Sequence, residues 1–261
     1  MTGTDEFPLD DLGVPTAVRR PVARVVSLVP SLTESVAVTR PLSLVAATQW
    51  CTHPADLDVP RMRGTKNPDV AAITALKPDL VLANQEENRQ LDVERLRAAG
   101  IPVWVTVIRS VDEALASMRR MFTVALGWPV PPWLDEADAV WAAPPPEARR
   151  RGAICVWRDP WMVVGSDTFT GDLASRIGLD NVFGQHPERY PHAEVADIIA
   201  ARPDLIVLPD EPYRFSASDG PEAFPGYEVA LLSGRDLTWY GPSLVGARDR
   251  LAARLGLAPS S

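Results

Sequence analysis

The chain has 261 residues, 46% apolar and 23% charged, enough core material for one large domain or two modest lobes and too much for a disordered chain. Its net charge of −8, from 34 acidic and 26 basic residues, lacks the basic face that nucleic-acid binding needs. Two cysteines, Cys51 and Cys155, exclude a disulfide framework, a zinc ribbon and a Cys-x-x-Cys redox motif, and suit a reducing compartment.

In chain order, residues 1–20 show no apolar periodicity and read as an N-terminal arm. Asp5, Glu6, Asp10 and Asp11 stand where a secretory signal would carry a basic start and an apolar run, so no signal peptide is read and a cytoplasmic protein is expected. Ala23–Val29 is a buried strand, followed by a helix start at Pro30-Ser31-Leu32-Thr33-Glu34, with Ser31 as N-cap and Glu34 closing a capping box. Leu42–Thr48, Leu80–Ala83 and Ile101–Ile108 read as further strands, and Asp69–Leu76, Asp92–Ala99 and Val111–Leu126 as helices. The uncharged stretch Met121–Leu134 contains Pro129, Pro131 and Pro132 and is too short and broken to span a bilayer.

The pattern then begins again. Trp133–Ala142 is helical, Ala153–Trp157 a strand, Thr170–Ile177 and Glu194–Ala201 helices, Leu205–Leu208 a strand and Pro242–Leu255 the terminal helix. Strands apolar throughout, alternating with helices, predict parallel sheets covered on both faces. Ile73–Ala83 (ITALKPDLVLA) repeats as Ile198–Leu208 (IIAARPDLIVL), with Pro78 and Pro203 standing 125 residues apart; a repeat this long marks a duplicated domain. The expected fold is α/β: an arm (1–20), an N-terminal lobe (21–126), a connecting helix and linker (127–150) and a C-terminal lobe (151–261). The two Rossmann-like lobes are joined by that single helix, with a ligand cleft between them.

Serine-hydrolase, P-loop, zincin and dinucleotide-binding motifs are all missing from the sequence. Cys51 and His53 are too few ligands for a closed zinc site, so neither a metal site nor a cofactor is assigned. The informative residues follow strand ends, where open α/β sheets bind ligands. Trp50, Glu87, Asn88 and Arg109 lie there in the first half, and Arg158, Trp161, Tyr213, Trp239 and Tyr240 in the second. Large rings with hydrogen-bonding side chains suit a sizeable, flat, partly polar ligand. Trp50, Trp161 and Trp239 are expected to share one cavity, with Arg109 and Arg158 at its rim to pair with ligand oxygens.

Arg24–Glu34 (RVVSLVPSLTE), Leu76–Val81 (LKPDLV), Gly100-Ile101-Pro102-Val103, Gly178–Phe183 (GLDNVF) and Arg202–Val207 (RPDLIV) together resemble the vitamin B12-binding protein family. This is the helical-backbone class (class III) of ABC-transporter solute-binding proteins, which also takes siderophores and haem. The resemblance covers about residues 22–256 and implies two α/β lobes, a rigid connecting helix, an interlobe cleft and no catalysis. It implies cleft aromatics at Trp50, Trp161 and Trp239. A further ring of the cobalamin binders falls at Thr65–Pro68, where Lys66 and Asn67 favour a more polar ligand. Permease docking is implied at Glu86 or Glu87 and at Glu211 or Glu222, for an exported form only.

The expected function is non-catalytic binding of a corrinoid-like or other large metal-chelate ligand, cobalamin included, without membrane insertion. Two alternatives compete with it: a cytoplasmic enzyme using Glu86 or Glu87 as acid and base, and an interaction or sensor module with a repurposed cleft.

Overall fold

The apolar runs form the centres of two parallel sheets in a computed structural model of the protein, which describes residues 7–147 and 149–257; Asp5 and Glu6 lie outside the described residues. The chain divides into two units. The first takes in residues up to Ile108, then Glu113–Asp135 and Tyr240–Pro242. The second takes in Arg109–Asp112, Glu136–Trp239 and the residues from Ser243 onward.

In the first unit four parallel strands run in the order Leu44–Ala47, Val25–Ser27, Leu80–Asn84, Val103–Thr106. Nearly every residue in them is buried, as strands covered on both faces must be. In the second unit Glu228–Leu232, Leu205–Pro209 and Arg150–Trp157 run parallel. Leu179–Asn181 pairs parallel and Met162–Val163 antiparallel with the last of these.

The repeated Lys/Arg-Pro-Asp motif does the same work in both units. Lys77 and Arg202 end their helices in the left-handed region, at φ 48° and 53°. The aspartate after each proline then binds the start of the neighbouring strand. Asp79 Oδ2 accepts from Ala23 N at 2.9 Å and Arg24 N at 2.8 Å, and Asp204 Oδ2 from Arg151 N at 2.7 Å. Arg24 and Arg151 in turn donate to the carbonyls of Leu76 (2.9 Å) and Ala201 (2.8 Å) near the helix ends. Helix end, turn and strand start are thus stapled together. Because a side chain is strained at positive φ and glycine is not, Lys77→Gly and Arg202→Gly are each expected to stabilise by about 0.5–1 kcal/mol. Urea unfolding checks this; a loss of stability would show that the side chains matter more than the backbone.

Four readings are corrected. The helix Pro30–Thr39 starts on Pro30, with Val29 as N-cap and no side-chain cap. Proline is preorganised for the first helical position, which displaces Ser31 into the helix. Val111–Leu126 is regular only to Arg120; Met121–Leu126 follows in wider turns. The strand Glu228–Leu232 and the short helix Gly234–Thr238 have no counterpart among the predicted elements. Finally, residues 7–20 are docked as well as aperiodic. Asp10 Oδ1 accepts from Leu12 N at 3.0 Å and Val14 N at 2.9 Å, and its Oδ2 from Arg97 at 2.7 Å and Val105 N at 3.4 Å. Asp11 donates from its N–H to Val105 O at 3.1 Å, and its carboxylate accepts from Val107 N, Ser117 and Arg120. The segment thereby occupies the edge of the strand Val103–Thr106, which would otherwise present open backbone groups.

No helix among the described residues is long and apolar enough to cross a membrane.

Candidate functional site

Parallel pairing places the loops after each sheet's parallel strands at one edge of that sheet. In the first unit the strand Leu44–Ala47 leads to Trp50, which is 60% exposed. Its ring meets the two-residue ladder Arg63–Gly64/Asn67–Pro68. A Cβ on Gly64 would lie 2.6 Å from Asn67 Oδ1 and 3.2 Å from Trp50 Nε1, so the glycine is what lets the indole edge approach the hairpin. Lys66, at the hairpin tip, donates to the Glu86 carbonyl at 2.5 Å. Trp50, Lys66 and Asn67 therefore belong to one local group.

Asn88 is buried and works as a tie. Its Oδ1 accepts from Asn84 N at 2.9 Å, and its Nδ2 donates to Thr65 O at 2.9 Å and Leu28 O at 3.5 Å. The hairpin is thereby fastened to two strand ends. Glu87, one residue earlier, accepts at 3.3 Å from the hydroxyl of Tyr240, which is also buried. Burial raises the Tyr240 phenol well above its ordinary value and the Glu87 carboxylate adds to the effect, so the hydroxyl remains a donor.

In the second unit the strand Arg150–Trp157 ends on an exposed ring, Trp157, and is followed by Arg158. Trp161 stacks on Phe215, with centroids 5.6 Å apart and 13° between planes, and takes Phe224 edge-on at 5.1 Å. Tyr213 lies 4.6 Å from Phe215 and 5.5 Å from Trp157. The Arg158 guanidinium sits 5.3 Å over Trp161 and donates to Glu222 Oε1 at 2.6 Å and to Asp219. Asp219 Oδ2 also accepts from the Tyr213 hydroxyl at 2.8 Å, and Glu222 Oε2 from Gly220 N at 2.6 Å. The Arg158 guanidinium holds the Glu222 carboxyl below the usual carboxylate range, which favours its charged form.

Arg158, Trp161 and Tyr213 are thus brought together. Trp239 is buried, its ring N–H donating to Glu211 Oε2 at 2.8 Å. Arg109 pairs with Asp167 at 3.1 Å in the wall of a polar cavity of about 410 Å³ that Ser166, Asp180 and Asn181 also line. Trp157, Phe224 and Asp219 are not among the residues that the sequence singles out. Trp157 carries a readable signal as the last ring of a strand; Phe224 and Asp219 have only loop context. Cys51 is buried, receives a hydrogen bond from Thr33 at 3.0 Å and lies 3.2 Å from the Thr48 hydroxyl, and burial raises its thiol. His53 Nδ1 lies 3.1 Å from the hydroxyl of Thr52. Among the described residues no group of three or more His, Cys, Asp and Glu side chains could hold a metal ion.

No protein-family model matches the chain. A vitamin B12-binding protein of Pectobacterium carotovorum subsp. carotovorum (strain PC1) is 24% identical over 256 residues, covering 91% of this chain and 90% of the relative. The crystal structure of the periplasmic vitamin B12 binding protein BtuF of Vibrio cholerae superposes with a TM-score of 0.71 at 19% identity, over 90% of this chain and 97% of that one. The periplasmic heme-binding protein RhuT from Roseiflexus sp. RS-1, in apo form, gives 0.75 at 19% identity, over 89% and 97%. These likenesses show that the fold is that of the two-lobed periplasmic binding proteins of this class.

Proposed function

We propose that this chain, a homologue of the vitamin B12-binding proteins over 91% of its length, is a non-catalytic solute-binding protein for a corrinoid-like or other large metal-chelate ligand. The observation that carries this reading is the set of aromatic rings at the carboxyl edges of the sheets: Trp50 in the first unit, and Trp157, Trp161 and Tyr213 in the second. A ring that leaves a strand end exposed offers a flat apolar face with a polar margin, which suits a macrocycle. The relatives named for binding vitamin B12 and haem support the ligand class.

Titration with cyanocobalamin, haem and a ferric siderophore, followed by tryptophan fluorescence and calorimetry, tests it. Saturable quenching without turnover is expected for at least one of them; no heat and no quench with all three would sink the ligand class. Trp50→Ala is expected to weaken binding by about 1–3 kcal/mol, the loss of a contact ring. Since Trp50 is largely exposed, thermal unfolding should barely move, separating a contact role from a folding role.

We propose a cytoplasmic setting, with a permease as partner only for an exported form. Fractionation of the native host with mass analysis of the N-terminus tests this. A lipid-modified or processed N-terminus would move the protein to the exported class.

A further inference from the structure

Three donors lie on or beside the aromatic face of the second unit: the Arg158 guanidinium, the Tyr213 hydroxyl and the Gly220 N–H. Each is the kind of group that receives a ligand carboxylate, the guanidinium best of all through its planar fork. All three already meet this chain's own carboxylates, Arg158 through Nη1, while its buried Nε makes no hydrogen bond. Arg158 Nη1 serves both Asp219 and Glu222, Tyr213 donates to Asp219, and Gly220 to Glu222. Asp159 adds a third carboxylate, 3.5 Å from Arg158 Nε. One cation therefore stands among three anions, and the side chains of those anions are 41% (Asp219), 54% (Glu222) and 84% (Asp159) exposed while that of Arg158 is 19% exposed. An approaching ligand meets the carboxylates first. The adjoining cation, Arg214, is exposed to solvent, where its charge is screened.

Resting on the ligand-binding reading above, we infer that Asp219 and Glu222 are specificity-determining residues that turn this face against chelates bearing carboxylates and toward chelates with an uncharged, amide- or ester-bordered rim. Arg158 then positions the loop that carries Tyr213 and Phe215 against Trp161, and does not clamp an anion. Discrimination of this kind comes from a repulsive element built beside an attractive surface.

Ligand pairs that share one ring and differ chiefly in side-chain charge test it: haem against haem dimethyl ester, and cyanocobalamin against the monocarboxylic acid obtained by hydrolysing one side-chain amide. Whichever ring binds, the uncharged member is expected to bind about tenfold tighter, the size of a like-charge contact at a partly solvated surface. In the double variant Asp219→Asn, Glu222→Gln the gap should shrink to about twofold or less, by gain of affinity for the charged member. Glu222→Gln alone repeats the comparison should the double variant fail to fold. Equal binding of both members by the unaltered protein, or a gap that the variants leave unchanged, overturns the selectivity while leaving the ligand class standing. Binding of neither pair, with a siderophore bound instead, also overturns it; binding of no chelate at all removes the ligand reading as well.

Discussion

Phe224→Ala is expected to lower stability by about 3–5 kcal/mol, the usual range for deleting a fully buried ring. Phe224 is 1% exposed and belongs to the core of the second unit with Cys155, Val163, Ile206 and Leu208. Its ring also meets Trp161 edge-on, so the same substitution removes the support beneath the aromatic face. Two readouts should move together: the denaturation midpoint, and the Trp161 emission taken as the difference between chains with and without Trp161→Phe, since seven other tryptophans also emit. Phe224→Leu keeps part of the volume and should lose well under half as much. A change below about 1 kcal/mol for the alanine variant would mean that neighbours collapse into the space, contrary to a rigidly packed cluster.

The second large effect is expected at Asp10. Its side chain is completely buried and meets three backbone N–H groups and Arg97. Asp10→Ala orphans those donors and should lower stability by about 3 kcal/mol, toward the lower end of what breaking a buried pair entails because Arg97 can partly rehydrate. Asp10→Asn keeps an acceptor for Leu12 and Val14 and should fall between. Hydrogen exchange at Val105 and Val107 should accelerate most, since both amides are bound by carboxylates of this segment. Unchanged exchange at both would show that the strand edge holds without it.

The two sheets were legible because their strands are continuous apolar runs, and the duplication because Pro-Asp after a basic residue has a specific backbone task at Asp79 and Asp204. The docked segment 7–20 was not, since carboxylate-to-backbone bonds such as those of Asp10 and Asp11 leave no periodicity. The strand Glu228–Leu232 was missed for a related reason. It lies at a sheet edge, begins on a charged residue that pairs with Arg150 and is only partly buried, so it lacks the continuous burial that marked its neighbours. At the candidate site, sequence could bring Trp50, Trp161 and Tyr213 to strand ends, but it could not show what Arg158 meets. Its partners Asp219 and Glu222 are 61 and 64 residues away, and nothing local to either loop announces the pairing. Asn88 carries the same lesson: an amide after a strand reads as a contact residue until its partners are known.

The staples at Asp79 and Asp204 bind the amino ends of their strands, while the aromatic and charged groups all project from the opposite ends. Registration of each sheet is therefore secured at the edge opposite the candidate site. The solvent-facing positions of loops such as 211–224, apart from the core residues Phe215 and Phe224, can be exchanged or recharged without disturbing what aligns the strands beneath them. A scaffold divided in this way can drift from one cargo to another by local loop changes, and it makes these loops the natural place to graft a different binding preference onto this chain.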